Sequence, residues 1–390
     1  MFGRPSLKNV TCIEDLREIA RRRVPRAYFQ YADNGSYSQA TLRANQAGLE
    51  AVRLRQRVGI DVSSRDLSTT IAGEPAALPV VLAPIGLCGL NIGDGEILAC
   101  RAAHAAGIQF CLGTMSICSV EDLAAAVSGP FWFQLYLMRD RGFSRELIQR
   151  VIEARCSALV ITLDLAVLAQ RNCDIKNRMT VPPRLTARNA LSFASRPAWA
   201  WSLRRSGRTG HGNLDGHIHG SEAMTTVAQW VSRQFDPSLS WADIDWIREI
   251  WPGKLIIKGI TDVADAKIAA EHGAAAIVIS NHGGRQLDGA PPTIAALPAI
   301  ADAVGSDLEV MFDGGIRSGQ DVLRALALGA SSCMIGRAFV YGLGAAGQQG
   351  VARAIDIIRT ELDVTMALTG TTSVRSVSPQ VIAPRAAGSD

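Results

Sequence analysis

The 390-residue chain has no pair of cysteines at C-x-x-C spacing; its eight thiols are scattered at positions 12, 88, 100, 111, 118, 156, 173 and 333. That scatter excludes a zinc ribbon or a disulfide framework and reads as separate buried thiols of a reducing compartment. Long apolar runs are missing too. The most apolar stretch, "AALPVVLAPIGLCGLNI", is broken by prolines and glycines and is too short to span a bilayer. The opening "MFGRPSLKNV" runs at once into a charged helical pattern rather than a signal peptide, so a cytoplasmic protein, soluble or peripheral, is expected. Charge of one sign is scarce. Forty Lys and Arg against 36 Asp and Glu leave +4, which gives no nucleic-acid footprint. No G-x-G-x-x-G follows the first strand-like run, which argues against an open doubly wound dinucleotide-binding sheet.

What is present is a globular composition, 48% hydrophobic and 19% charged, with one repeating unit from residue 78 onward. A short apolar run rich in Val and Ile is followed by a polar turn, an amphipathic helix and a return. The runs are 78–86, 107–114, 130–137, 158–165, 254–260, 274–282, 308–316 and 331–340. Eight such units predict a closed (β/α)8 TIM barrel, class α/β, in a single domain over 1–390. The barrel occupies 78–362, after an N-terminal extension 1–70 with a helix near 13–23 and the aromatic helix "RAYFQYAD". A long insertion, 175–242, follows strand four, and 363–390 form a C-terminal tail.

Barrels place their chemistry at the C-terminal ends of the strands. The polar groups where these runs stop are Gln134 and Tyr136, Thr162 and Asp164, Lys258, His282 and Arg285, Asp313 and Arg317, then Gly336 and Arg337. "DGGIRSG" and "IGR" end strands seven and eight, where barrels commonly hold phosphate, and their glycines let backbone N–H groups approach an anion that an arginine then pairs. Lys258 interrupts the apolar "LIIKGI" and should face negative charge, since a bare buried ammonium is costly. Asp164 can accept a hydrogen bond from an imidazole and stabilise its protonated form, and His282 in "SNHGGRQLDG" is the candidate base.

The insertion carries "SRPAWAWSLRRSGRTGHGNLDGHIHG". Trp199 and Trp201 beside Arg204, Arg205 and Arg208 suit a membrane surface, while a partly mobile loop is the plainer alternative. His211, His217 and His219 resemble a metal tract only in composition, and no metal site is expected.

"FWFQLYLMRDRGF", "DIKNR", "LIIKGI", "SNHGGRQLDG" and "DGGIRSG", in this order along the chain, resemble the FMN-dependent L-2-hydroxy acid dehydrogenases and oxidases, and the resemblance covers nearly the whole chain. "VLAPIGLCGL", "QFDPSLSWADIDWIREIWPG" and "GRAFVYGLGAAGQQGV" look most like the bacterial respiratory branch, which oxidises L-lactate and passes electrons to membrane quinone. The resemblance implies FMN as cofactor, a small 2-hydroxy acid substrate, a quinone or similar acceptor, a contact with the inner face of the membrane, and a homo-oligomer, tetrameric in the family. It gives His282, Asp164 and Lys258 catalytic roles, and Tyr31, Tyr136, Arg171 and Arg285 the substrate. Ala83, Pro84, Gly113, Thr114, Gln134, Thr162, Lys258, Asp313, Gly315, Arg317, Gly336 and Arg337 would bind FMN. An oxygen-using oxidase of the same fold, and a non-redox FMN barrel such as an isomerase or a binding module, are the alternatives. Two departures stand out: Gly113 replaces the family's flavin-contacting Ser or Thr, and "DLAVLAQRNCD" replaces a segment with a Thr-Pro pair and a glycine.

Overall fold

A computed structural model describes residues 6–178, 186–208, 210–214 and 234–384. The barrel strands are β3 (Val80–Leu82), β4 (Cys111–Gly113), β5 (Trp132–Leu135), β6 (Ala158–Thr162), β7 (Lys254–Ile260), β8 (Ala276–Ile279), β9 (Glu309–Asp313) and β10 (Ser332–Ile335), preceded by a hairpin of β1 (Thr69–Ile71) and β2 (Glu74–Ala76). The eight pair in parallel in the order β3-β10-β9-β8-β7-β6-β5-β4, and a parallel bridge between Leu82 and Phe110 closes the ring. The eight-stranded barrel expected from the repeating pattern is therefore the fold. Apart from β7, which matches its run 254–260, the strands are shorter than the apolar runs, which extend past the ladder at one or both ends.

Side-chain alternation sorts the strands into two cores. Val81, Cys111, Trp132, Val160, Ile256, Val278, Met311 and Met334 fill the barrel, and Ile71, Ala72 and Ala76 of the hairpin join them. The hairpin closes the N-terminal end: Ala72 N donates to the Glu309 carboxylate at 2.7 Å, and the Lys254 ammonium donates to Ala72 O. The opposite faces of the strands pack on the surrounding helices. Four of those helices start abruptly after a strand because Ser119, Asp140, Asp262 and Ser318 accept bonds from first-turn N–H groups. Short caps of this kind leave the C-terminal mouth of the barrel open between them.

The extension covers part of that mouth. Asn45, on the helix Ala40–Ala51, and Asn281, just past β8, exchange a pair of amide bonds, both 2.8 Å. Asn45 also receives Thr293 N, and Asn281 receives Gly284 N. Both amides are buried, so the pair ties the extension to the turn that carries His282.

In its described part the insertion forms the helices Ala187–Ala194 and Pro197–Ser206. The expectation that both tryptophans and all three arginines face outward is corrected here. Trp199 donates to Leu90 O at 2.8 Å and stacks on Phe193 with ring centroids 5.5 Å apart, so its ring is used in packing. Arg208 is held by Asp122 and Asp94 at 2.7 and 2.6 Å. Trp201, Arg204, Arg205 and Leu191 are exposed. His217 and His219 lie outside the described residues.

Replacing Asn281 by Ala leaves the buried Asn45 amide without its reciprocal partner. A loss of about 1 to 3 kcal/mol in unfolding free energy is expected, measured by urea denaturation of the purified protein.

Candidate active site

Past β8 the chain turns with three consecutive residues in the left-handed region, His282 at φ 57°, Gly283 at 62° and Gly284 at 71°. Glycine adopts this freely, but a histidine does so at a cost and must be held. Four contacts hold it. His282 N donates to Ser280 Oγ at 3.1 Å, Gly284 N donates to Asn281 O at 3.0 Å, Nδ1 meets Asp164 Oδ1 at 2.8 Å, and Nε2 lies 3.4 Å from the Tyr136 hydroxyl. Burial alone would raise the Asp164 carboxyl. The charge and hydrogen bond of His282, with Lys258 beyond, hold it below the ordinary carboxylate range. An ionised Asp164 can only accept, so Nδ1 carries a proton and Nε2 faces Tyr136 and the cavity.

Around this imidazole stand the groups for an organic acid. Arg285 and Arg171 each lie 4.9 Å from the centroid of the Tyr31 ring. Arg171 pairs with Asp174 at 2.7 Å, whereas among the described residues Arg285 bonds only uncharged acceptors, Tyr31 O at 2.6 Å and Asn34 O at 3.1 Å. Burial first, and then the repulsion of Arg171, push the Arg285 guanidinium below its ordinary value. Burial likewise keeps the Tyr136 phenol protonated, as a donor.

These side chains open into one cavity of about 350 Å³. Ala83, Pro84, Gln134, Thr162, Lys258, Asp313, Gly315, Arg317, Gly336 and Arg337 line it together with Tyr31, Tyr136, Arg171, His282 and Arg285. Lys258 bonds Ser280 Oγ at 2.7 Å and Asp313 at 3.1 Å; burial would lower it, but Asp313 and Asp164 hold it above its ordinary value. The ammonium therefore presents a stable positive charge to the cavity. Asp164 is reached as well from Gln286, whose Nε2 donates to its main-chain oxygen at 3.1 Å.

Does this cavity fit a flavin phosphate ester? Gln134 Nε2 is buried and has no hydrogen-bond partner among the described residues, a donor aimed at something absent from the protein itself. At the other end the helix Arg337–Ala346 points its N-terminus, with Gly336 before it, at the cavity, and first-turn N–H groups lack intrahelical partners. Arg317 lies there over the Tyr341 ring at 5.6 Å. Burial and the nearby Arg285 push the Arg337 guanidinium down to about 9, a strain that an anion would relieve. Apolar walls, a lone amide donor, a lysine and a cationic helix end suit an isoalloxazine with a phosphate tail. The residues fit.

Two expected cofactor contacts stand elsewhere. Gly113 and Thr114 lie behind the wall, because Thr114 Oγ turns to β5, donating to Gln134 O at 2.7 Å and accepting from Tyr136 N at 3.0 Å. Met115 lines the cavity instead. Arg337 is at the cavity, but its three guanidinium nitrogens donate to Ala32 O, Gly283 O and Asn34 O, so it also clamps the extension. Sequence reasoning missed Ser280, Asp174, Leu165, Phe235 and the cavity position of His211. Only Asp174 had a signal, a carboxylate three residues after Arg171 in "RNCD".

Comparison with known proteins agrees with this geometry. The family model described as FMN-dependent dehydrogenase matches residues 20–384. A protein named L-lactate dehydrogenase from Caulobacter vibrioides (strain NA1000 / CB15N) is 47% identical over 380 residues, 96% of this chain and 98% of that one. Its namesake from Haemophilus influenzae (strain PittEE) is 44% identical over 374 residues, again 96% and 98%. Among solved structures, the monotopic membrane protein (S)-mandelate dehydrogenase superposes with a TM-score of 0.92 at 32% identity, covering 96% of this chain and all of that one. With a barrel whose mouth fits a flavin and a family match over most of its length, the chain belongs to the FMN-dependent dehydrogenases.

Proposed function

We propose that the protein oxidises L-lactate, or a closely similar small L-2-hydroxy acid, to the 2-oxo acid and delivers the electrons to a membrane quinone. The observation that carries this reading is the His282 and Asp164 pair set beside Arg285 in one cavity, in a chain 47% identical to a protein named L-lactate dehydrogenase.

Arg285 and Arg171 would hold the substrate carboxylate, with Tyr31 between them. A guanidinium pushed down by burial gains most from such an anion, which fixes the carbinol beside His282. Nε2 takes the hydroxyl proton, and Asp164 stabilises the imidazolium that results. Tyr136 donates to the substrate oxygen from its place next to Nε2. Bound FMN supplies the acceptor for the two electrons and the hydrogen of the α-carbon. Gln134, Thr162, Lys258 and the Ala83 and Pro84 segment would hold its ring, Asp313 its ribityl chain, and Gly315, Arg317, Gly336 and Arg337 its phosphate. Lys258 opposes the negative charge that reduction brings to the ring.

The membrane part of the reading rests on the exposed face of the insertion. Trp201 is 61% exposed and Leu191 73%, with Arg204 and Arg205 exposed beside Trp201. Rings and cations together suit an anionic headgroup layer. Among the described residues no helix is long and apolar enough to cross a membrane, so this contact would be peripheral.

Changing His282 to Gln should leave substrate binding in place and slow anaerobic flavin bleaching by L-lactate about 10² to 10⁴-fold; stopped-flow absorbance decides it, and normal bleaching would overturn the base assignment. Arg285→Lys should raise KM and also slow reduction, because an ammonium cannot make the paired contact. Arg317→Ala removes a charge-assisted phosphate contact of about 1.5 to 3 kcal/mol, so FMN is expected to dialyse away from that variant and stay with the parent. For the membrane, the triple change Trp201→Ser, Arg204→Gln and Arg205→Gln should abolish co-sedimentation with anionic vesicles at low salt, each arginine contributing roughly 1 kcal/mol. Dye-linked lactate oxidation should survive this change while quinone reduction falls. Reoxidation of the reduced enzyme by oxygen faster than by quinone would favour the oxidase alternative.

A further inference from the structure

The insertion makes a second contact with the barrel midway along its length. After the exposed helix Pro197–Ser206 the chain passes Arg208 and returns to the barrel at residues 210–214, where it lies against the turn that follows β4. The approach is close enough to exclude a side chain: a Cβ on Gly212 would sit 2.5 Å from Ser119 N and 2.8 Å from Ile117 O. Gly212 N donates to that same Ile117 O at 3.2 Å. The segment is docked flush on the barrel.

Its next residue, Asn213, is wholly buried, and both polar atoms of its side chain are in use. Nδ2 reaches Gly113 O and Thr114 O, both at 3.3 Å, and Ser116 Oγ at 3.0 Å. Oδ1 accepts from Val120 N at 2.8 Å, one of the N–H groups that a helix start leaves without an internal partner. One amide thus ties both ends of the turn. Glu96 holds the turn from its other side, where Oε1 accepts from Ile117 N at 3.0 Å.

What the turn carries gives this contact its meaning. Thr114 N and Oγ both donate to Gln134 O, at 3.0 and 2.7 Å, and Thr114 Oγ accepts from Tyr136 N at 3.0 Å. Gln134 holds the orphaned amide donor of the cavity, and Tyr136 faces His282. The glycine at 113 belongs to the same arrangement: a Cβ there would lie 3.3 Å from Gln134 Oε1, closer than an ordinary contact. A carbonyl pinned by Asn213 therefore stands one residue from the groups that touch flavin and substrate.

We infer that Asn213 is a positioning residue for flavin reduction, an amide supplied by the insertion that fixes the turn after β4 and, through Thr114, the placement of Gln134 and Tyr136. The inference rests on the flavin-site reading above. It also gives the insertion a task inside the catalytic unit, separate from any surface contact made by its helices.

The test compares Asn213→Ala and Asn213→Asp with Arg208→Gln, which breaks the ion pairs just upstream and leaves the amide in place. Asp keeps the size of the side chain and the acceptor for Val120 N but removes both donor protons. Three quantities are read: the FMN dissociation constant from titration of apoprotein, the flavin midpoint potential by dye equilibration without substrate, and the limiting rate of anaerobic reduction of FMN-saturated protein by L-lactate. Displacements of about 1 Å in a catalytic constellation cost on the order of a hundredfold. Both Asn213 variants should therefore lose about tenfold to a hundredfold in limiting rate, with a shifted potential and weaker FMN binding, while Arg208→Gln matches the parent. Should Asn213→Ala fail to fold, the isosteric Asp variant carries the comparison. Parent-like potential and limiting rate in FMN-loaded Asn213 variants, even with a lowered melting temperature, would reduce Asn213 to a structural staple and overturn the inference. Failure of the parent to be reduced by any 2-hydroxy acid would refute the substrate reading instead, and the substrate-free potential would still decide the role of Asn213.

Discussion

Crowding of positive charge at one barrel mouth is the constraint on which the rest of the site depends. Lys258, Arg171, Arg285, Arg317 and Arg337 all line a single cavity of about 350 Å³. Cations removed from water must be paired or their charged forms become unfavourable. Lys258 is matched by Asp313 and Arg171 by Asp174, and the His282 imidazole by Asp164. Among the described residues the guanidinium groups of Arg285, Arg317 and Arg337 bond only main-chain carbonyls, and burial pushes those of Arg285 and Arg337 down. A mouth whose guanidinium groups are short of counter-charge suits anionic ligand groups. A carboxylate and a phosphate are groups of that kind.

The same bookkeeping explains how much could be read in advance. The eight strands were legible because a parallel strand buried on both faces is a short continuous apolar run, and the closed barrel followed from their number. His282, Arg285, Lys258 and Asp164 were legible because each interrupts or ends such a run with a group that needs a partner. Ser280 was not, since a hydroxyl beside a histidine carries no signature of the lysine and aspartate it joins from two other strands. Thr114 was assigned to the flavin by family resemblance, yet its hydroxyl faces β5, because the backbone beside it offers both a donor and an acceptor.

The insertion was the least legible part. Its composition, tryptophans beside arginines, is compatible with an exposed face or with packing, and the structure divides it between the two. Trp199 and Arg208 have partners on the loops after β3 and β4, namely Leu90, Asp94 and Asp122, all distant in sequence. Trp201, Arg204 and Arg205 lie on the exposed side. No local pattern distinguishes these sets, since what separates them is the surface the helix happens to meet. Asn213 is the extreme case: a residue type common in turns whose amide is spent on the turn after β4 and the helix start beyond it, 93 to 100 positions earlier.

Arg337 donates to Ala32 O across 305 residues of chain, and Arg285 to Tyr31 O across 254. The segment that carries Tyr31 leaves the ribosome long before the strands it must cover, and contacts so far apart in sequence form late because closing the intervening chain costs entropy. Through most of synthesis that aromatic helix has no mouth to cap. The mouth is then completed only at the end of biogenesis, when β10 has emerged and the first helices fold back over it, and a nascent chain truncated before β10 would lack Gly336 and Arg337 altogether.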